Sequence, residues 1–331
     1  MLFAGALRDN GLARTPPMGW SSRSFGDSID DPTVRAIADA MNANGLRQAG
    51  FSYLDIGSWE GPRNGQGDPR PNERFPDMRA LSAYVHSRGL FFGISYAPAN
   101  YEHEDQDART FASWSIDLLH YEAGAPGAYR RMAEDLYRTG RPIVYSIGKT
   151  DRCAVTGANI CQSDAEQADF VRPGHWLNLG PVLSGAASQA AAGSQPASDL
   201  HFRMTKYSLL AAPLLVEGDP RTYSKPALAA LTNREVIGID QDPNGEPGFR
   251  MSDTNGLEIW SRQLVDGKAV AWFNHRNTRA RFTMTWADFG VDAKMVVRDV
   301  WQNRVLDTHK PEFDVDIDKR DVLLLRVYTA Q

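Results

Sequence analysis

A chain of 331 residues is long enough for one large domain and a small one. Hydrophobic residues at 42% and charged residues at 23% are ordinary for a folded globular protein. A net charge of −5 argues against nucleic acid or an anionic membrane surface as a partner, and no apolar run approaches the length of a membrane span. The opening MLFAGAL is apolar but carries no basic flank and is too short for a secretory signal. The expected compartment is therefore periplasmic or secreted if a signal precedes this chain, and cytoplasmic otherwise.

In chain order, Pro16-Pro17 blocks helix and Met18-Gly19-Trp20 reads as a first strand. Asp31 as N-cap and Pro32 at the first helical position start a helix on which Ile37, Ala40, Met41 and Ala43 recur at helical spacing. FSYLDIG (51–57) is a second strand, followed by a Gly/Pro/Asn-rich loop that faces solvent or covers a site. Asp77 caps the helix MRALSAYVHSRG, Gly89 ends it, and LFFGISY (90–96) is a third strand. EDQDARTFASW reads as a helix. Ile116, Leu118 and Leu119 then form an apolar run of strand length that emerges at His120, Tyr121 and Glu122. Pro126 starts another helix, Gly140 ends it, and RPIVYSIG (141–148) is a fifth strand.

Strands alternating with helices at this spacing imply βαβ units and a parallel sheet. The pattern is weaker from 149 to 200, with a short helix expected around 165–170, a short strand near Trp176 and a low-complexity loop after Gly185. It resumes with the helix DLHFRMTKYSLLAA, the strand PLLVEGDP and one more helix, SKPALAALTNREVIGID.

After about residue 245 the texture changes. LEIWSRQL, KAVAWFNH, ARFTMTW, KMVVRDVW, EFDVDI and DVLLLRVY alternate with period two, and Val265-Asp266-Gly267-Lys268 is a hairpin turn. The expected architecture is a (β/α)8 barrel over 1–245, shortened around 149–185, followed by an antiparallel β-sandwich over 246–331. No Gly-x-Gly-x-x-Gly follows the first strand, so a doubly wound nucleotide-binding sheet lacks its fingerprint. In a barrel of this kind, groups at the C-terminal ends of strands carry the chemistry, which draws attention to Glu122.

Cys153 and Cys161 are close enough to clip one loop as a disulfide or to be two free buried thiols, and both readings stay open. The seven histidines show no zinc-type spacing, so neither metal nor cofactor is expected. Eight Trp and eleven Tyr suit the stacking of rings on sugar faces, although each singly is more often core.

Several stretches together resemble the melibiase-type α-galactosidases of glycoside hydrolase family 27. TPPMGWSSRSFG is similar to that family's TPPMGWNSWNSFG, and DQDARTFASWSIDLLHYE to its DAxTFASWGVDYLKYD. FPDMRALSAYVHSRGLFFGI, GRPIVYSI, PGHW, AAPLL and LTNREVIGIDQDPNG recur in the family's order. The resemblance spans nearly the whole chain. It implies a barrel, a C-terminal sandwich, a carbohydrate partner and retaining hydrolysis of a terminal α-linked galactose or a relative. Members often form dimers or tetramers, so a homo-oligomer is an expectation by resemblance alone.

The departures from the family cluster at the site. Its nucleophilic Asp matches Glu122, the Lys two residues before matches His120, and the Asn-Cys that follows is Ala123-Gly124. The two Asp residues that hold the sugar 4- and 6-hydroxyls match Gly57 and Ser58. The acid/base matches Asp164, with Asp169 as fallback, and WNDPDML is Trp176-Leu177-Asn178-Leu179-Gly180-Pro181-Val182. The expected site is Glu122 as nucleophile and Asp164 as acid/base, with Trp20, Asp55, Ser58, Trp59, Tyr96, His120 and Trp176 contacting substrate.

Three readings follow. The first is a divergent α-galactosidase-like hydrolase. The second is an inactive barrel that binds carbohydrate or a partner protein. The third is new chemistry in the same pocket, with Glu122 acting beside His120, Tyr121 or Glu60.

Overall fold

The computed structural model describes residues 10–98, 101–123, 126–150, 153–162, 170–184, 197–291 and 295–329. By backbone proximity the chain divides into two compact units, Met1–Gly193 with Pro213–Ser224, and Ser194–Ala212 with Lys225–Gln331.

Among the described residues the main sheet of the first unit has eight strands: β1 (Met18–Ser21), β2 (Tyr53–Ile56), β3 (Phe91–Tyr96), β4 (Leu118–Tyr121), β5 (Val144–Lys149), β6 (Ile160–Gln162), β7 (Trp176–Asn178) and β8 (Leu214–Val216). All pair in parallel in the order β8-β1-β2-β3-β4-β5-β6-β7. The ring closes just beyond β7. Val182 N donates to Leu215 O at 2.7 Å, Glu217 N donates to Leu183 O at 2.8 Å, and Leu183 and Val216 form a parallel bridge. This is the (β/α)8 barrel that the alternating pattern implied.

The helices α1 (Asp31–Ala43), α2 (Met78–Ser87), α3 (Glu104–Ser113) and α4 (Pro126–Arg138) follow β1 to β4. The N-cap of α1 is Asp30 and not the expected Asp31, because Asp30 Oδ1 accepts from Thr33 N at 2.9 Å while Asp31 already lies in the first turn. Its buried face, Val34, Ile37, Ala38 and Met41, has helical period. Asp77 caps α2, and Gly89 beyond it takes a left-handed φ of 70°.

The barrel is abbreviated after β5. Among the described residues only a 3-10 turn, Cys153–Val155, lies between β5 and β6. Cys153 and Cys161 are joined as a disulfide with a Cα separation of 5.8 Å, which staples that turn to β6. Strand β6 itself carries no sequence signal, since three residues ending in a polar Gln162 make no apolar run. The helix expected around 165–170 falls largely outside the described residues.

The N-terminal mouth of the barrel is plugged. Leu12 and Ala13 pack with Tyr53 against Leu118, Val144 and Ile160, the first residues of their strands. The loop after β2 carries a small hairpin, Glu60–Gly61 with Arg70–Pro71. Arg63 fixes this loop by a bidentate pair with the buried Asp107 at 2.7 and 2.8 Å.

The second unit holds α5 (Ala197–Leu210), α6 (Lys225–Leu231) and α7 (Arg234–Asp240). The single helix expected over SKPALAALTNREVIGID is two, because the Asn233 side chain accepts from Glu235 N at 3.0 Å and starts a new helix. The strands are β9 (Phe249–Thr254), β10 (Leu257–Leu264), β11 (Gly267–Asn274), β12 (Ala280–Thr285), β13 (Met295–Asp299), β14 (Arg304–Leu306), β15 (Glu312–Ile317) and β16 (Val322–Thr329). They form a six-stranded antiparallel sheet, β9-β10-β11-β16-β13-β14, and a two-stranded one, β12-β15. Both contribute to one core around Val270, Trp272, Trp286, Val297, Val315 and Leu325. This is the expected β-sandwich, with β9 and β14 added.

Arg262 on β10 is wholly buried. It donates to Ile239 O at 2.7 Å, to Glu246 O at 2.9 Å and to Ser208 O, and so satisfies carbonyls in the last turns of α5 and α7. Beside it Asp240 is also fully buried. Burial pushes its carboxyl up to about 8, against a hydrogen bond from Gln241 and the field of Arg262. The unfolded chain gives up that proton near the ordinary aspartate value of about 3.9. Between those values the folded state holds the extra proton, so stability is full at low pH and declines as pH rises toward 8. Asp240→Asn removes the titration. Denaturant unfolding from pH 5 to 8 should show wild type losing about 1.4 kcal/mol per pH unit relative to the variant. Parallel curves for the two proteins would disprove it.

Candidate active site

Side chains two residues apart on a strand share a face, so each barrel strand sends alternate residues inward. Tyr53 and Asp55, Leu118 and His120, and Ile160 and Gln162 all line one pocket on this rule. Its floor is apolar (Tyr53, Leu118, Ile160, Leu215) and its mouth is polar (Arg23, Gln162, Asn178, Glu217). The polar groups come from the C-terminal ends of the strands, where a barrel places its chemistry.

Asp55 is the half-buried acid that lines the pocket. Its Oδ2 accepts from Ser95 Oγ at 2.7 Å, while Oδ1 has no partner among the described residues. Burial raises its pKa, with the field of His120 and the bonds from Ser95 and Ser21 opposing.

Glu122 follows β4 directly and is its counterpart at the rim, with 39% of its side chain exposed. His120 bridges downward from it: Nε2 lies 2.9 Å from Glu122 Oε1 and Nδ1 lies 2.9 Å from Ser146 Oγ. The hydrogen bond from His120 lowers the Glu122 pKa, against partial burial, so this carboxylate is ionised at neutral pH. Arg23 Nη2 stands 3.6 Å from the same oxygen, but the arginine is mostly exposed, and a solvent-facing pair at that length contributes little.

The carboxylate of Glu122 occupies space that residue 148 leaves open. A Cβ built on Gly148 would overlap Glu122 Oε2. The longer acid at 122 and the missing side chain at 148 are thus one fitted arrangement.

The structure brings Trp20, Asp55 and His120 together at the pocket, with Glu122 bonded to it. It does not bring Ser58, Trp59, Tyr96 or Trp176 there. Tyr96 follows the inward Ser95 on β3 and so faces outward, where its hydroxyl donates to Asp107 at 3.0 Å. Trp59 is fully buried among Tyr96, Phe111 and Trp114 at ring distances of 5.3 to 5.8 Å. Trp176 lies one layer below Asn178 and donates from Nε1 to Ala13 O at 2.7 Å. Ser58 takes a left-handed φ of 53°, and its carbonyl accepts from Asn72 and Arg74. Asp164 and Asp169 lie outside the described residues. Among the described residues no cluster of histidine, cysteine and acids could hold a metal ion.

Glu217, Ser146 and Gln162 also line the pocket and are not among the residues expected there. Glu217 had a usable signal, since it follows β8 as directly as Glu122 follows β4.

Comparison with known proteins agrees over both units. Residues 15–182 match the model of the family described as "Alpha galactosidase A", and residues 254–327 match its C-terminal β-sandwich domain. An α-galactosidase of Cyamopsis tetragonoloba is 32% identical over 94% of this chain and 86% of its own length. An α-N-acetylgalactosaminidase of Gallus gallus is 30% identical over 90% of this chain and 89% of its own. The crystal structure of α-galactosidase I from Mortierella vinacea superimposes with a TM-score of 0.86 at 23% identity, over 98% of this chain and all of that one.

Gly148→Ala tests the fitted pair. The atom displaced is the end of a flexible side chain, so a crystal structure of the variant should show Glu122 swung away from His120 with the strands in place. Thermal stability should change by less than about 1 kcal/mol. A carboxylate still bonded to His120, with β5 shifted instead, would disprove the pairing.

Proposed function

The chain belongs to the α-galactosidase A family of glycoside hydrolases, and we propose that it acts on a terminal α-linked sugar by retaining double displacement, with Glu122 as the nucleophile. The observation that carries this reading is an ionised carboxylate at the end of β4, aimed by a 2.9 Å bond from His120 at the mouth of a polar pocket. Retention needs a second carboxyl about 5–5.5 Å away that first protonates the leaving oxygen and then activates water. Asp164 is proposed for that role, on the family resemblance alone. The chemistry is assigned to residues 1–245, and no site is proposed in the sandwich, 246–331.

Galactose is not proposed as the preferred sugar. Positions 57 and 58 offer no carboxylate to the 4- and 6-hydroxyls, and Gly57 N donates to Ser22 Oγ at 2.8 Å instead. Polar recognition then falls to Asp55, Gln162, Asn178 and Glu217. The Arg23–Glu122 contact favours a second reading, a carbohydrate-binding barrel without turnover, because it pairs the would-be nucleophile with a cation.

A panel of aryl α-glycosides, with wild type and Glu122→Ala compared, separates the two. An activated leaving group reduces the need for the acid and isolates attack by Glu122. Turnover of at least one sugar, reduced more than about 10³-fold in the variant, is expected for a nucleophile. Absence of turnover on every sugar by a folded protein would transfer the site to the binding reading.

A further inference from the structure

We propose that Ser146, His120 and Glu122 form a serine-nucleophile relay that gives the same pocket a second activity, hydrolysis of short-chain O-acyl esters carried on a sugar. The relay shares residues with the glycosidase reading but does not rest on it.

The strands themselves set the geometry. His120 and Ser146 are register partners on the adjacent strands β4 and β5, both facing inward. The ring nitrogens of His120 make one bond each, Nδ1 with Ser146 Oγ and Nε2 with Glu122 Oε1, both at 2.9 Å. An ionised carboxylate can only accept, so the proton between His120 and Glu122 sits on Nε2. In the neutral imidazole this leaves the Nδ1 lone pair facing the serine hydroxyl, as a general base requires. The usual relay has the serine at Nε2 and the acid at Nδ1. Here the ring is turned over, and either nitrogen is chemically able to take a proton.

The surroundings suit acyl transfer. Ser146 and His120 are 4% and 9% exposed, so bulk water is largely kept from the base. Both still line the pocket. Below them the floor of Leu118, Ile160 and Leu215 takes a small apolar group, an acetyl in size. At the mouth, Gln162 and Asn178 offer side-chain amides. Asn178 Oδ1 accepts from Gly180 N at 2.9 Å, which leaves its NH2 as the donor for a developing oxyanion.

In the first half-reaction Ser146 Oγ bonds to the ester carbonyl carbon as its proton moves to His120 Nδ1. The sugar oxygen then leaves with that proton, and the acyl group stays on Ser146. In the second half, water gives a proton to Nδ1 as its oxygen bonds to the acyl carbon; the bond from that carbon to Ser146 Oγ then breaks, Oγ takes the proton back from Nδ1, and the carboxylic acid leaves. No redox partner or metal is needed for the balance.

The test uses p-nitrophenyl acetate turnover and labelling by an alkyl fluorophosphonate, read by peptide mass spectrometry on intact wild type. We expect a phosphonyl adduct on Ser146, and ester turnover reduced about 10³-fold or more in Ser146→Ala and in His120→Ala. Glu122→Gln should lose about 10²–10⁴-fold, because an amide no longer fixes the tautomer. Ser146→Cys keeps the pocket filled and should react with iodoacetamide faster than its double variant with His120→Ala. Labelling confined to other residues, or equal ester turnover in wild type and Ser146→Ala, would overturn the relay, provided thermal melts show both proteins folded. A Ser146 adduct without turnover of any aryl α-glycoside would keep the relay and remove double displacement at Glu122. Glycoside turnover with no adduct would do the reverse.

Discussion

The site depends on how the barrel closes. Eight parallel strands form a ring only if the eighth meets the seventh, and here the meeting is made by two residues past the end of β7, Val182 and Leu183, bonded to β8. Without that closure Asn178 on one side and Glu217 on the other would not face the same pocket. The closure also explains why the stretch after β5 can be so brief. A ring held at its seam keeps its register with a disulfide-stapled turn where a full helix would otherwise cover the strand.

Most of the scaffold was legible in the sequence because it is written in long periods and strong punctuation. Gly89 and Gly140, both with φ near +70°, end their helices where the pattern placed them. What was not legible is short or set by tertiary contact. Strand β6 is three residues long and takes its strand identity from neighbours on both sides. The break between α6 and α7 depends on one Asn side chain turning back to cap. In the site, Glu122, His120 and Asp55 could be read from strand ends and resemblance. Trp59 and Trp176 could not be told from core residues, because an aromatic ring carries no mark of the face it points to.

The two acids of the pocket are driven apart by their surroundings. Asp55 is set inside the pocket, half-buried, and loss of water around it raises its pKa. Glu122 reaches toward water and takes a hydrogen bond from His120, which lowers its pKa. Environments that separate two carboxyl groups in this way assign them different duties, the inner one holding a proton more tightly and the rim one holding charge. His120 sits between these duties, bonded to Glu122 and placed so that its field reaches Asp55. A change at that ring acts on both acids at once.

Two residues that depart from the family pattern, Glu122 and His120, are bonded to each other and fitted to Ser146 and to the space above Gly148, and this bears on whether the site is decayed or rebuilt. An aspartate at 122 would end about one bond length short of where the glutamate meets His120. A side chain at 148 would exclude the glutamate from that place. Ser146 occupies the other nitrogen of the imidazole, so the ring has no slack in either direction. Independent losses would leave gaps or unmatched polar atoms at such positions, and buried polar atoms without partners are costly. Glu122, His120, Ser146 and Gly148 fill one another's space and satisfy one another's hydrogen bonds. That fit is what distinguishes a rebuilt pocket from a decayed one.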